Sequence, residues 1–236
     1  MSSIWSPKLS PPPLRGVTLH RPRLYARLAE ALGGPVTLVA GEAGFGKTTL
    51  VAGYLQTADR PAVWYRIDPL DSDPALFAGS LLQGLRARVS RSAWRRAQRS
   101  LSLATDWPAA IRILLGAIAA VYDELIVVLD DLHLLDHPTL DEGLRALVEG
   151  LPPQVHLAFL TRRRPALPLA RWRTQGVLSE ITTDDLRFTP AELRALLVDL
   201  HHLPLTDASV HLLVAKTEGW AAGVTLALHT ALAQGP

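Results

Sequence analysis

The chain has 236 residues, enough to bury a substantial core, and its 48% apolar and 19% charged residues are typical of a globular protein. Its net charge of +2 is too small to indicate a basic surface made for nucleic acid, and the absence of cysteine excludes disulfides and thiolate metal sites. No apolar stretch approaches the length of a membrane span and no secretion signal is present, so we expect a cytoplasmic protein without a membrane partner.

Three elements are predicted in residues 1–40. Residues 1–20, rich in serine and proline, predict an extended lead-in. The segment 21–32 predicts a short helix, because Leu24, Leu28 and Leu32 recur on one stripe. The run 35–40 is short, apolar and β-branched, which is typical of a buried strand.

Residues 41–48 read G-E-A-G-F-G-K-T and match the phosphate-loop pattern G-x-x-x-x-G-K-[ST] at every fixed position. Backbone N–H groups of such a loop surround the β-phosphate of a nucleotide, Lys47 reaches the β- and γ-phosphates, and the Thr48 hydroxyl ligates Mg²⁺. Helical spacing over 49–55 places the loop at a helix N-terminus, which favours an anion. The alternative is a glycine-rich turn that happens to contain lysine. We expect nucleotide contacts from Gly41, Ala43, Gly44, Phe45, Gly46, Lys47, Thr48 and Thr49.

The region after the phosphate loop contains two groups of charged residues with alternative interpretations. Beyond a predicted strand at 62–67, Asp68, Asp71 and Asp73 either cap turns and helices or form a second cation site. Six arginines lie close together in the segment 86–99. They are Arg86, Arg88, Arg91, Arg95, Arg96 and Arg99. Three interpretations are open: a solvated face, a protein contact surface or a nucleic-acid patch. Helical spacing returns at 109–121.

The run L-I-V-V-L-D-D at 125–131 predicts a buried parallel strand that ends in two carboxylates. Ligands bind at this end of the strands in open α/β sheets, so we assign Asp130 to Mg²⁺ through water. Asp131 then orients or activates the attacking water, although the two roles could be exchanged. The alternative is a strand that ends in a polar turn. His133 and His137 have metal-ligand spacing without a third ligand, so we favour a turn histidine at His133.

The remaining elements define the fold class. A helix is predicted at 138–151 and strands at 155–160 and 177–181, after which the alternation of strand and helix stops. Three helices follow, at 190–201, 206–216 and 220–232. The sequence therefore predicts an α/β P-loop NTPase domain over 21–187, a three-layer fold around five parallel strands of the ASCE type. A small helical bundle follows over 188–236.

Several short motifs, in order along nearly the whole chain, resemble those of the MalT-like ATP-dependent regulators of the large LuxR type, which are signal-transduction ATPases with numerous domains (STAND). The motifs are Leu19-His20-Arg21-Pro22-Arg23-Leu24, Gly41–Thr49, Trp64–Asp68 with Asp71-Ser72-Asp73-Pro74, Leu129-Asp130-Asp131-Leu132-His133, Leu160-Thr161-Arg162 with Leu167-Pro168-Leu169, and Thr217-Glu218-Gly219-Trp220-Ala221-Ala222-Gly223. The family carries proline at the position of Ala221.

The resemblance implies a slow, Mg²⁺-dependent ATPase that works as a switch, compact with ADP and opened and assembled with ATP plus an inducer. It implies that Lys47 and Asp131 act in catalysis and that Arg162 contacts the γ-phosphate, with neighbouring Arg163 and Arg164 as alternatives and a solvated arginine run as the other interpretation. It also implies an adenine pocket formed by the segment 17–24 and the segment 219–223. From the first of these segments we expect contacts by Arg21, Pro22 and Leu24.

The partners expected from the resemblance are adenine nucleotide, a second copy in the ATP state, and DNA only through other domains. The chain contains no winged-helix, superhelical-repeat or helix-turn-helix pattern, so we expect an excised fragment, or else a short family member with its effector elsewhere. Two other functions stay open. One is a nucleotide-dependent assembly scaffold without turnover. The other is a standalone motor or transport ATPase, which needs an arginine finger that the sequence does not show.

Overall fold

A parallel β-sheet of five strands organises the protein. The computed structural model describes residues 7–14, 18–104, 106–135 and 138–234, so much of the predicted lead-in, including Val17, and His137 lie outside the described residues. The strands are β1 (Val36–Ala40), β2 (Ala62–Arg66), β3 (Leu125–Asp130), β4 (Val155–Thr161) and β5 (Leu178–Ile181). Their order is β2-β3-β4-β1-β5 and every pairing is parallel. Because β4 separates the phosphate-loop strand β1 from the aspartate strand β3, the predicted α/β ASCE fold class is confirmed.

Helices cover both faces of this sheet and give three layers. Alternate residues of the strands enter two apolar clusters: Leu38, Val127 and Phe159 pack with one group of helices, and Val39 and Val128 with the other. The first group is α3 (Pro74–Gly84), α4 (Arg91–Leu101), α5 (Trp107–Ile118), α6 (Pro138–Glu149) and α7 (Leu169–Thr174). The second group is α1 (Pro22–Ala31) and α2 (Lys47–Ala58). Continuous apolar strands are expected for a sheet that is buried on both faces.

The last part of the chain is helical and has an apolar cluster of its own. After the short helix α8 (Thr183–Leu186), the cluster joins Leu193, Leu197, Val210, Val224 and Leu228. The helices are α9 (Pro190–Arg194), which continues as a π-helical turn over Ala195–Leu200, α10 (Asp207–Thr217) and α11 (Ala221–Gln234). The helix predicted over 190–201 is therefore present to Leu200, and its second half is π-helical, with hydrogen bonds in the i→i+5 pattern.

The acidic residues after β2 cap local turns. Asp73 accepts hydrogen bonds from the N–H groups of Ala75 and Leu76, both at 2.9 Å, and caps α3. Asp68 and Asp71 form a capping box around the 3₁₀ turn Pro69–Ser72. The ammonium group of Lys8 lies 2.6 Å from Asp68 and 3.1 Å from Asp71. Their hydrogen bonds match the cap interpretation, and the described residues contain no cluster of three or more His, Asp or Glu side chains that could hold a metal ion.

Candidate functional site

The phosphate loop connects β1 to α2 at the carboxyl edge of the sheet. Gly44 (φ 78°) and Gly46 (φ 81°) adopt the left-handed conformation that glycine accepts without strain. The N–H of Gly41 donates to the Thr161 carbonyl oxygen at 3.1 Å, which fixes the loop to the end of β4. The loop turns at Ala43 and Gly44, and among the described residues the backbone N–H groups of 42, 43, 44 and 46 donate no backbone hydrogen bond. Converging unpaired N–H groups before a helix N-terminus form a concavity that favours an anion.

Lys47 begins α2, and its ammonium group lies inside the loop. The Nζ donates hydrogen bonds to the carbonyl oxygens of Gly41 at 2.5 Å and Glu42 at 2.9 Å, and the residue is only 8% exposed. Burial lowers the pKa of Lys47, and the positive charge of Arg162 lowers it further, against the opposing effect of Asp130 and Asp131. The ammonium group is therefore held where it can reach an anion in the loop.

Thr48 and Asp130 meet across the space between α2 and β3. The Thr48 hydroxyl donates to both carboxylate oxygens of Asp130 at 3.2 Å. Asp130 is 2% exposed, and burial together with the neighbouring Asp131 carboxylate raises its pKa to about 6. A hydroxyl and a buried carboxylate side by side are hard oxygen ligands, which Mg²⁺ prefers, so these two predicted metal ligands are brought together.

Asp131 follows β3 in a left-handed backbone conformation. Its φ is 60°, and its own N–H donates to Asp130 Oδ1 at 3.0 Å. Its carboxylate Oδ2 lies 3.5 Å from Nε of Arg66, the last residue of β2. The sequence motifs give Arg66 no role at the site. The β2–β3 register, which pairs Arg66 with Asp130, shows why it lies here, and that register follows only from the strand order.

The three arginines that follow β4 have different surroundings. Arg164 forms an ion pair of 3.0 Å with Glu180, and Arg163 donates to the His133 carbonyl oxygen at 3.4 Å. Arg162 is exposed, makes no ion pair or hydrogen bond with its side chain within the described ranges, and lies close enough to lower the pKa of Lys47. Of the three arginines, Arg162 is the one whose charge lowers the pKa of Lys47 in the phosphate loop.

A cavity of about 340 Å³ lies beside the phosphate loop. Its walls come from the loop, from the entry segment and from the C-terminal helices, and include Phe45, Thr49, Arg21, Phe188, Ala221 and His229. Its volume and mixed lining suit a small organic ligand. The predicted contacts Pro22, which is exposed, and Leu24, which is fully buried in the core, do not line this cavity.

The C-terminal helical segment contacts the phosphate loop directly. Trp220 Nε1 donates to the Ala43 carbonyl oxygen at 2.9 Å, and the N–H of Ala222 donates to the Gly44 carbonyl oxygen at 2.9 Å. A Cβ added at Gly44 would lie 2.7 Å from both Ala222 Cβ and Trp220 Nε1, so only glycine fits there. The sequence motifs marked both segments but did not predict that they touch.

Arg21 forms a second connection between the two parts of the chain. Its guanidinium donates to the carbonyl oxygens of Leu186 at 2.9 Å and Arg187 at 2.7 Å, and to Glu192 at 2.8 Å. It also stacks over the Phe188 ring at 4.3 Å. Burial tends to raise the pKa of Glu192, but hydrogen bonds from Arg21 and from the Thr189 N–H outweigh it and leave the pKa below its usual range. Arg21 therefore positions the helical segment as well as lining the cavity.

Comparison with known proteins gives one family match and several similar chains. Residues 19–160 match the family described as AAA ATPase domain. The HTH-type transcriptional regulator MalT of Cronobacter sakazakii is 30% identical over 226 residues, which cover 93% of this chain and 24% of that protein. MalT of Vibrio cholerae is 31% identical over 193 residues, 80% of this chain and 21% of that protein. The chain thus spans less than a quarter of the length of these curated relatives.

Solved structures share the fold. A STAND protein with a tetratricopeptide repeat sensor from Pyrococcus horikoshii superposes with a TM-score of 0.68 at 20% identity, over 93% of this chain and 31% of that one. The Orc1 protein of Aeropyrum pernix, solved in complex with DNA, superposes with a TM-score of 0.56 at 17% identity, over 93% of this chain and 62% of that one. Among the described residues, no helix is long and apolar enough to cross a membrane.

Proposed function

Because the chain belongs to the AAA ATPase domain family, as a MalT-like P-loop NTPase of the STAND class, we propose that it is a slowly hydrolysing ATP switch of a regulatory protein. ADP holds the helical segment docked on the phosphate loop, and ATP releases it. The relatives are transcriptional regulators, so the regulated output is transcription, through DNA contacts made by other domains. Assembly with a second copy in the ATP state belongs to the same proposal.

The observation that carries the proposal is the pair of hydrogen bonds from Trp220 and Ala222 to the loop carbonyl groups. The loop that holds the phosphates is also the surface on which the helical segment docks. Any shift of Ala43 or Gly44 on binding a different nucleotide changes both hydrogen bonds. A ligand shifts such an equilibrium by its differential affinity for the docked and undocked states. Because the helical segment docks on the loop that holds the phosphates, ATP and ADP differ in their affinity for the docked and undocked states.

Different residues of the site hold the phosphates, hold Mg²⁺ and orient the attacking water. The loop N–H groups and Lys47 hold the phosphates, and Arg162 contacts the γ-phosphate, which is present only before hydrolysis. Thr48 and Asp130 hold Mg²⁺, which when bound neutralises charge on the phosphate oxygens. Asp131 orients the attacking water and accepts its proton at the carboxylate. The adenine base of the nucleotide occupies the cavity beside Phe45 and Ala221.

Slow turnover is consistent with the docked geometry. Lys47 donates its hydrogen bonds to the carbonyl groups of its own loop, and the Asp131 carboxylate lies beside Arg66. Both groups must be re-aimed before they act on substrate, and positioning supplies most of the catalysis in phosphoryl transfer. A conformational step that precedes chemistry limits the rate of such an enzyme.

The test is to identify the nucleotide carried by the purified chain and then to follow phosphate release with ATP and Mg²⁺. We expect bound ADP and slow multiple turnover, both lost in Lys47→Ala and both kept in the control Lys216→Ala, which removes an exposed lysine. In Asp131→Asn, nucleotide stays bound and turnover stops. ATP binding without repeated phosphate release in the unmodified chain would instead favour an assembly scaffold. Absence of ATP binding would contradict the proposal.

A further inference from the structure

The outer face of α4 (Arg91–Leu101) carries a concentration of positive charge that the nucleotide site does not use. Six arginines lie in the segment 86–99, and no aspartate or glutamate occurs between Asp73 and Asp106. Within the described part of the chain, none of the six forms an ion pair or donates a side-chain hydrogen bond. By contrast, arginines such as Arg27, Arg60 and Arg173 are each paired with a carboxylate. The net charge of +2 hides this local excess.

The helix arranges these charges in a row. Arg91, Arg95 and Arg99 follow one another at four-residue spacing, so they share one face at steps of about 6 Å along the axis. Arg96 lies beside them, and Arg86 stacks over the Trp94 ring at 5.2 Å. The exposed residues of α4 are Arg91, Ser92, Arg95, Arg96, Gln98, Arg99 and Ser100. Every one of these side chains can donate a hydrogen bond to a phosphate oxygen.

Other partners fit this face less well. The apolar side of α4, formed by Ala93, Ala97 and Leu101, is already buried in the domain, so the helix cannot insert it into a membrane surface. The exposed side offers no apolar or aromatic anchor, which the core of a protein interface needs. It also offers no free aromatic ring on which an unpaired base could stack, because Trp94 is half-buried under Arg86.

We propose that the outer face of α4 binds the phosphate backbone of duplex DNA without reading its sequence. The contact is purely electrostatic and hydrogen-bonded, so it positions the domain on DNA while base recognition lies elsewhere. It departs from the expectation that DNA is contacted only through other domains. The proposal does not depend on ATP hydrolysis, because α4 contributes no residue to the cavity or to the contacts of Lys47, Thr48 and Asp130.

The test measures binding of the intact chain to a labelled DNA duplex of about 20 base pairs between about 50 and 200 mM salt. The variant Arg95→Gln/Arg99→Gln removes two charges from α4. The matched control, Arg145→Gln/Arg171→Gln, removes two exposed arginines that form no ion pair among the described residues. Each phosphate contact contributes about −0.9 to the slope of log K against log salt. We expect the α4 variant to make the slope less negative by about 2 and to weaken the affinity roughly 10- to 100-fold. The control should change neither the slope nor the affinity.

Three results would overturn the proposal. The first is absence of binding at about 50 mM salt. The second is equal weakening by both double variants, which would trace binding to overall charge and not to α4. The third is tighter binding of a duplex RNA or of polyglutamate at matched charge, which would assign the face to another partner. Nucleotide binding measured on the same samples stays unchanged in every variant, which shows that the domain is folded.

Discussion

The indole N–H of Trp220 donates a 2.9 Å hydrogen bond to the carbonyl oxygen of Ala43, a residue 177 positions earlier in the chain. Trp220 precedes α11, and Ala43 lies in the phosphate loop, so this bond joins the helical segment to the part of the site that holds phosphate. The Ala222 N–H adds a second bond to the next residue of the loop, Gly44. We expect five properties of the protein to depend on this docking, on the Asp130 carboxylate or on Arg21.

Trp220→Phe keeps an aromatic ring and removes the N–H donor. The Ala43 carbonyl group then loses its partner from the helical segment, and we expect bound ADP to dissociate several-fold faster, because a hydrogen bond of this kind contributes about 1 kcal/mol. Stopped-flow release of a fluorescent ADP analogue measures it. The control is Trp94→Phe, since the Trp94 Nε1 is buried without an acceptor among the described residues. Equal release rates in both variants would refute the role of the hydrogen bond.

Gly44→Ala and Gly176→Ala separate backbone strain from loss of docking. Both glycines have positive φ, 78° and 69°, so alanine costs about 1–2 kcal/mol of stability at either position. Only at Gly44 does the new Cβ meet Ala222 and Trp220 at 2.7 Å, whereas at Gly176 it meets open space. Thermal unfolding should show destabilisation in both variants, larger in Gly44→Ala because of the clash, and calorimetric titration should show weakened ADP binding in Gly44→Ala alone. Unchanged ADP affinity in Gly44→Ala would count against docking on the loop.

The main architecture could be predicted from the sequence. All five strands lie within one residue of their predicted bounds, because parallel strands buried on both faces are continuous apolar runs between polar turns. The phosphate loop and the aspartate strand were recognisable because their chemistry depends on residues adjacent in sequence. Local signals were weaker for α7 and α8, which are short and were not predicted.

Contacts between distant segments could not be predicted. Arg66 reaches Asp131 only because β2 is paired with β3, and Trp220 reaches Ala43 only because the helical segment folds back on the loop. For Leu24 the sequence motif predicted a contact that the structure does not show. Its place in the motif suggested a nucleotide contact, whereas its position on the apolar stripe of α1 places it in the core. Helical periodicity was the better guide for that residue.

Asp130→Asn should stabilise the nucleotide-free protein at pH 8 and much less at pH 4. The folded protein raises the pKa of Asp130 from 3.8 to about 6, so it binds this proton more tightly than the unfolded chain does. Its contribution to stability is therefore present at low pH and is lost as pH rises through about 6. Asparagine has no charge to bury, and the gain at pH 8 is up to about 3 kcal/mol. Chemical denaturation at the two pH values measures it, and a variant less stable at pH 8 would contradict the sign.

Arg21→Lys should destabilise the protein, because lysine cannot make the forked contacts with Leu186, Arg187 and Glu192 at once. Lysine keeps a charge near Glu192 but leaves at least one of the two carbonyl oxygens without its donor, and we expect a cost of about 1–3 kcal/mol. Denaturant unfolding provides the measurement. Arg194→Lys is the matched control, since Arg194 pairs with Asp207 at the surface, where ion pairs contribute about 0–1 kcal/mol. A cost for Arg21→Lys no larger than the control would refute the structural role of Arg21.

The most direct measurement of the switch is the distance between the nucleotide-binding part and the helical segment in the two nucleotide states. The chain has no cysteine, so Gln56→Cys and Lys216→Cys, both at exposed positions, give two unique sites for spin labels. Asp131→Asn in the same chain prevents turnover during the measurement. We predict one narrow distance distribution with ADP, as a single docked arrangement requires, and a longer or broader distribution with ATP and Mg²⁺. Identical distributions with the two nucleotides, both bound to saturation, would contradict a nucleotide-controlled switch.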